Sequence, residues 1–327
     1  MSKTKEELIS LYDDEKYEIA IRKRNKIFSK ANEIIQKSKY SLTLRQQKLI
    51  SYILSCLKAP NRNGEYNLEV LFNIEEYCRV TGIDYNQSTN YNNIKQDIKK
   101  LRDKSLWIPI KNKNGEIIDT LVSWIEKTRA CESRELIYVK IDEDLAPYLF
   151  ELSENFTQFE LRFLLSFEKN YSMRLYEIVK SWNNLHKHTY TIDEIRNLLN
   201  IEDIKTFTEY KNLKSKILVP CIEEINSKTD IKITMREILG KKSGKGRKKV
   251  EKIEFRVAPI PDNIVQTRRY TIDDKLDGTN KVTAYEQLCM FKDLETPGNS
   301  DMNKDIVKKP SVQEQLEMVD DYINNLE

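Results

Sequence analysis

The chain has 327 residues, of which 33% are charged, a formal net charge of +3 and a mean hydropathy of −0.64. That length suffices for two domains with cores of their own, and no apolar run approaches the roughly 18 residues that would cross a bilayer as a helix. An N-terminus without a secretory pattern, and five cysteines (Cys56, Cys78, Cys131, Cys221, Cys289) with no C-x-x-C pair, lead us to expect a cytoplasmic protein with neither a disulfide framework nor a zinc site.

Residues 1–28 read as a charged extension, helical or partly disordered, whose cluster Arg22, Lys23, Arg24 and Lys26 suits a solvated run or, as the alternative, a contact with phosphate or protein. Helices are expected over 29–40 and 43–57; in the second, Leu44, Leu49, Ile50, Ile53, Leu54 and Leu57 keep a 3.6 period, with Ser41 or Thr43 as its cap. A strand at 68–72 precedes a helix over 74–80 that Asn73 caps and Gly82 ends in a left-handed conformation. Ser88 or Thr89 starts the next helix, with Ile94, Ile98 and Leu101 inward. Segments 106–110 and 117–124 flank Asn114-Gly115, a strong hairpin signal, and read as a wing. A strand at 136–141 and a helix near 145–152 complete the first half.

In the second half, helices are expected over 157–167, 172–184, 192–199 and 210–227. The last has Tyr210, Leu213, Ile217, Cys221 and Ile225 on one apolar face, and Pro220 is expected to kink it. Strands at 231–238 and 250–257 alternate and are joined by residues 240–249, which hold five Lys and one Arg: a second wing. Beyond 259 the chain turns polar, with Gly278, Pro297, Gly298 and Pro310; only 316–326 looks able to form a short amphipathic helix.

The two halves repeat. Phe72-Asn73-Ile74-Glu75-Glu76-Tyr77 reads against Tyr190-Thr191-Ile192-Asp193-Glu194-Ile195 at an offset of 118, and Tyr91 to Lys95 with Ile98 against Tyr210 to Lys214 with Ile217 at 119. Such a duplication means two small domains folding alike. The expected class is α+β, mainly helical: two tandem winged-helix domains at 29–155 and 156–258, between a flexible N-terminal extension (1–28) and an acidic, flexible polar tail (259–327).

The small net charge conceals an uneven distribution. Residues 205–256 carry fifteen Lys and Arg against seven Asp and Glu, whereas residues 293–327 carry nine acidic against three basic. Lys211, Lys214 and Lys216 fall in the first two turns of the helix at 210–227, where they oppose the helix dipole at about 0.3–1 kcal/mol each. A phosphate would reverse that penalty. Winged helices offer this part of their second helix to the major groove and the wing to the backbone, so double-stranded DNA is the expected partner, met also by Lys241, Lys242, Lys245, Arg247, Lys248 and Lys249. The equivalent helix of the first half carries Lys95, Lys99, Lys100, Arg102 and Lys104, diluted by Asp97 and Asp103, and suits either phosphate or a protein interface.

No catalytic chemistry stands out. Nicking initiators hold a metal with two histidines around an apolar residue and use a tyrosine often followed three residues later by lysine. Here His186-Lys187-His188 reads as a surface turn, and no tyrosine has that lysine. The stretch Gly240 to Gly246 lacks the glycine of a phosphate loop at 245, which is Lys, and a strand follows it. Glu75-Glu76 and Glu223-Glu224 are sequence neighbours that point apart on a helix. No catalytic residue, cofactor or metal is expected.

Over 32–257 the chain resembles the plasmid replication initiators that bind iteron repeats through two winged-helix domains. The resemblance rests on Ser41-Leu42-Thr43-Leu44-Arg45-Gln46-Gln47-Lys48-Leu49-Ile50, on Tyr171-Ser172-Met173-Arg174-Leu175-Tyr176-Glu177, and on Tyr210, Leu213-Lys214, Ile217-Leu218, Ile222-Glu223-Glu224-Ile225-Asn226, Thr229-Asp230-Ile231 and Ile253-Glu254-Phe255. It implies a non-enzymatic initiator that binds tandem origin repeats, helps melt an AT-rich segment and recruits the host initiator and replicative helicase. It further implies a homodimer through the first domain that binds an inverted operator and represses its own gene. By position, Lys211, Asn212, Lys214, Ser215 and Lys216 would face the major groove, with Asn212 able to pair with adenine, and the 241–249 hairpin the flanking phosphates. Family members often have Arg where this helix has Lys, which lacks the planar fork that reads guanine. The alternatives are a repressor or partition regulator without initiation activity, and an origin-nicking enzyme.

Overall fold

The computed structural model describes Lys16 and residues 18–37, 42–111, 114–150, 155–182, 187–240 and 248–278. Among these, no helix is long and apolar enough to cross a membrane. The acidic stretch 293–327, with its expected amphipathic helix, and the second-wing tip at 241–247 lie outside the described residues.

Residues 18–24 form helix α1, followed by β1 (Ile27–Ala31), α2 (Asn32–Lys37) and α3 (Leu44–Cys56). Of the two caps the sequence allows, Thr43 serves α3. Its Oγ1 accepts from the Gln46 N–H at 3.3 Å, and the Gln46 side chain accepts from the Thr43 N–H at 2.9 Å, so two otherwise orphaned donors are satisfied. The helix expected from residue 29 starts only at Asn32, because β1 pairs antiparallel with β7 (Phe156–Glu160), Phe28 opposite Phe159. That same pairing removes the first turn of the helix expected over 157–167. A pairing between segments so distant leaves no mark on local periodicity.

The repeat read from the sequence is a repeat of structure. β2 (Glu69–Asn73) runs into α4 (Ile74–Thr81), and β8 (Lys187–Thr191) runs into α9 (Ile192–Leu198). Asn73 Oδ1 accepts from the Glu76 N–H at 3.1 Å, and Thr191 Oγ1 from the Glu194 N–H at 3.2 Å. The chain leaves each helix through a residue of positive φ, Gly82 at 70° and Asn200 at 53°, the residue types that tolerate it best. The next helix is α5 (Gln87–Arg102) in the first domain, capped by Asn86 rather than by Ser88 or Thr89.

Three-stranded sheets complete the correspondence, with β5 (Ile125–Cys131) and β6 (Leu136–Ile141) in the first domain and β9 (Ile231–Leu239) and β10 (Val250–Pro259) in the second. Their orders are β2-β6-β5 and β8-β10-β9. The wing equivalent to β9–β10 is therefore β5–β6. The Asn114-Gly115 hairpin, β3 (Ser105–Lys111) with β4 (Ile117–Ser123), does form, but as a separate two-stranded sheet. An Asn-Gly pair specifies a tight turn, not the sheet its strands will join. On this hairpin Trp107 stands opposite Leu121, 61% and 54% exposed; Ile117 shares their face and Ile118 lies on the other, both exposed.

After α6 (Ala146–Phe150) and β7 come α7 (Leu161–Ser166) and α8 (Asn170–Lys180), both packed on α3. One apolar core is thus continuous through the two domains, with Tyr52, Phe159, Phe167 and Tyr176 fully buried, each phenylalanine worth about 1.5–3 kcal/mol of transfer free energy. Lys30 of β1 and Glu177 of α8 form an ion pair at 2.6 Å, both side chains 3% exposed.

Where a polar tail was expected, α12 (Asp262–Leu276) packs back on the molecule. Val265 and Ile272 are buried against Phe163, and Leu276 lies against Gly82. A Cβ at Gly82 would come within 2.7 Å of the Leu276 carbonyl oxygen, so this glycine serves the close approach as well as the turn. Its apolar positions are too sparse for a periodic signal, and ion pairs supply the remainder. Arg269 holds Glu160 at 2.6 Å, and Arg268 donates to the carbonyls of Asn226 and Thr229. Arg24, read as part of a solvated cluster, is 0% exposed, and its guanidinium donates to the Val80 and Arg79 carbonyls and to Asp277. It thereby closes the C-terminus of α4, where a cation complements the negative end of the dipole.

Candidate nucleic-acid interface

The second helix of the second domain is built in three pieces: α10 (Tyr210–Leu213), a π turn (Lys214–Leu218) and α11 (Val219–Lys228). Pro220 has no N–H to give the ladder and crowds the carbonyl four residues back. The chain widens just before this proline, and the Val219 N–H bonds to the Lys214 carbonyl five residues back. Leu213, Ile217, Leu218, Cys221 and Ile225 remain buried, so the opposite face is fixed toward solvent. Such one-turn bulges often occur at functional sites.

On that outer face Lys211, Ser215 and Lys216 are exposed, and neither lysine has an ion-pair partner among the described residues. Asn212 is half-buried; its Nδ2 donates to Glu209 at 3.4 Å, and Ser215 Oγ donates to the Lys211 carbonyl at 2.9 Å. Lys214 differs, since its Nζ donates to Glu237 on β9 at 2.6 Å. The sequence reading did not single out Glu237. A signal existed, because the inward alternation Ile231, Ile233, Met235 ends on this carboxylate.

The wing closes through the Gly240 N–H to the Lys249 carbonyl at 2.9 Å, leaving Lys248 and Lys249 exposed at its base. Lys241, Lys242, Lys245 and Arg247 lie outside the described residues. Arg236 and Arg256, also not singled out, flank Glu254 on the outer face of the sheet, and the Arg256 contact at 2.8 Å holds the Glu254 carboxyl below its usual range.

In the first domain, Lys95 and Lys99 are exposed on α5, with the Lys95 ammonium 4.9 Å from the centre of the Tyr91 ring. Asp97 dilutes this face less than its charge suggests, since Arg45 pairs with it at 2.7 Å. The true wing adds exposed Lys127 and Arg129.

His188 is not in a surface turn. It lies in β8 with its ring stacked on Trp182 at 5.3 Å, and His186 lies outside the described residues. No group of three or more His, Cys, Asp or Glu is arranged to hold a metal ion among the described residues.

A family model described as Initiator Replication protein, WH1, matches residues 27–180, and a second, Initiator Rep protein, WH2, matches residues 191–257. A curated protein of Escherichia coli described as a replication initiation protein is 27% identical over 216 residues, 63% of this chain and 64% of its own length. The chain thus spans just under two thirds of that relative. Among solved structures, the Pi initiator protein in complex with iteron DNA superposes with a TM-score of 0.55 at 19% identity, covering 73% of this chain and 99% of the other. At that identity the likeness is one of fold.

Proposed function

We propose that this chain, which belongs to the family of initiator replication proteins built from WH1 and WH2 domains, is a plasmid replication initiator that binds duplex DNA at tandem repeats of its origin. The observation that carries the reading is the pair of exposed lysines, Lys211 and Lys216, on the first turns of a helix whose other face is locked into the core. Lys248 and Lys249 stand at the base of the adjacent wing, suited to backbone phosphates. Lys95 and Lys99 on α5 supply an accessory contact from the first domain. Bound as an array, the protein strains an adjacent AT-rich segment and recruits the host initiator and replicative helicase; it makes and breaks no bond itself.

The reading includes a homodimer through the first domain. Trp107, Leu121 and Ile117 are exposed apolar residues on one face of the β3–β4 hairpin, and exposed apolar patches mark interaction surfaces. In this form the chain binds an inverted operator and represses its own gene.

The test is a gel shift on the DNA beside the chain's own gene. A ladder of complexes, one per direct repeat, supports the initiator. Binding to an inverted site alone favours a plain repressor or partition regulator, and metal-dependent cleavage of a supercoiled origin plasmid would favour a nicking enzyme.

A further inference from the structure

The three lysines of the second domain's DNA-facing helix are of two kinds. Lys211 and Lys216 project from it without an ion-pair partner among the described residues. Lys214 is held. Glu237 Oε1 accepts from Lys214 Nζ at 2.6 Å and from Tyr210 Oη at 2.7 Å. One oxygen at the end of β9 thus gathers two side chains a single helical turn apart.

We propose that Glu237 is a specificity-determining residue: it positions Lys214 as a hydrogen-bond donor toward a base edge and withholds the Lys214 charge from phosphates of arbitrary sequence. The inference rests on the DNA-binding reading above and deepens it. A free lysine is a mobile point charge on a four-carbon stem, suited to phosphate and poor at telling bases apart. Pinned by one bond, its ammonium keeps two donors in a restricted range of directions, and guanine presents two acceptors, O6 and N7, in the major groove. The pinning answers the absence of an arginine fork. Paired with Glu237, the Lys214 charge is withheld from phosphates of any sequence, so general affinity falls, whereas a base that accepts from Lys214 restores affinity on its own sequence alone and discrimination improves. Tyr210 steadies the carboxylate from the other side; burial and this bond push its phenol above the ordinary value, which keeps it a donor.

The experiment uses the full chain and two duplexes of equal length, one selected from a random pool by the wild type and one a scramble of it, with affinities measured across a salt series. Glu237→Gln keeps an acceptor for Tyr210 and Lys214 but removes the charge. On the scrambled duplex its log-log salt dependence should steepen by about 0.9, the increment of one released phosphate contact, and its preference for the selected duplex should fall about tenfold. Lys214→Gln should lose about tenfold on the selected duplex with its slope on the scramble unchanged. The proposal is overturned if Glu237→Gln matches the wild type in both slope and preference, if its steepening persists when combined with Lys214→Gln, or if Lys214→Gln alone flattens the slope by about 0.9. A wild-type chain that selects no duplex at all sinks the DNA-binding reading instead.

Discussion

Arg24 and Asp277 stand 253 positions apart in the chain and meet through two hydrogen bonds, Nη1 to Oδ2 at 2.9 Å and Nη2 to Oδ1 at 2.8 Å. Neither residue falls within the segments matched by the family models, yet together they fasten the end of α12 against the C-terminus of α4. Asp273 joins them, 3.5 Å from Arg24 and 3.1 Å from Arg162. This clasp ties the segment after the second domain to the first.

Removal of the clasp's central cation should be costly. Arg24→Ala leaves Asp273 and Asp277, with side chains 6% and 7% exposed, short of their partner, and breaking a buried pair in this way costs about 3–5 kcal/mol. Urea unfolding measures it. Arg24→Ala combined with Asp277→Ala should recover part of the loss, because the orphaned carboxylate is gone.

Acid should strengthen the same site. Burial, with Asp277 adding and Arg162 and Arg24 opposing, raises the Asp273 carboxyl from 3.8 to about 6. Between about pH 4 and 6 the folded chain therefore binds more protons than the unfolded one, and stability rises as pH falls through that window. Relative to Asp273→Asn, the wild type should gain up to about 3 kcal/mol between pH 7 and 4. Glu168, drawn down to about 2 by Lys275 and Lys228, acts in the opposite sense, its contribution present above the ordinary value and lost toward pH 2. Both variants share Glu168, so the difference isolates Asp273; equal pH profiles would refute the assignment.

The lysines without an ion-pair partner among the described residues should dominate the salt dependence. Lys211→Ala and Lys216→Ala should each flatten the slope by about 0.9, additively in the double variant, with similar losses on any sequence. An unchanged slope would remove both residues from the phosphate contacts.

The β3–β4 hairpin should control self-association. Charging two apolar residues that face each other across it, Trp107→Glu with Leu121→Glu, should give a monomer in sedimentation equilibrium and lose binding to an inverted operator, with direct-repeat binding retained. A double variant that still dimerises would place the interface elsewhere.

Much of the fold could be read from local chemistry. Asn73 as a cap, Gly82 as a left-handed exit and the offset of 118 each recur in the structure because a cap or an exit depends on a few adjacent residues. The tertiary choices could not. Nothing near Phe28 signals its pairing with Phe159, nothing in Asn114-Gly115 says which hairpin is the wing, and α12 is held by partners such as Arg24 and Glu160 that lie far off in the chain. At the proposed DNA face, the lysines were legible as charge, but that Lys214 is held by Glu237 while Lys211 has no ion-pair partner among the described residues depends on how β9 brings Glu237 to the helix.

The most direct measurement is the equilibrium binding of the purified full chain to a labelled duplex carrying the tandem repeats beside its own gene, against a scrambled duplex, in a salt titration. Stepwise, salt-sensitive occupancy of the repeats, tighter than the scramble at every ionic strength, is the predicted result. Indifference to duplex DNA at low ionic strength, or equal affinity for the two duplexes, would contradict it.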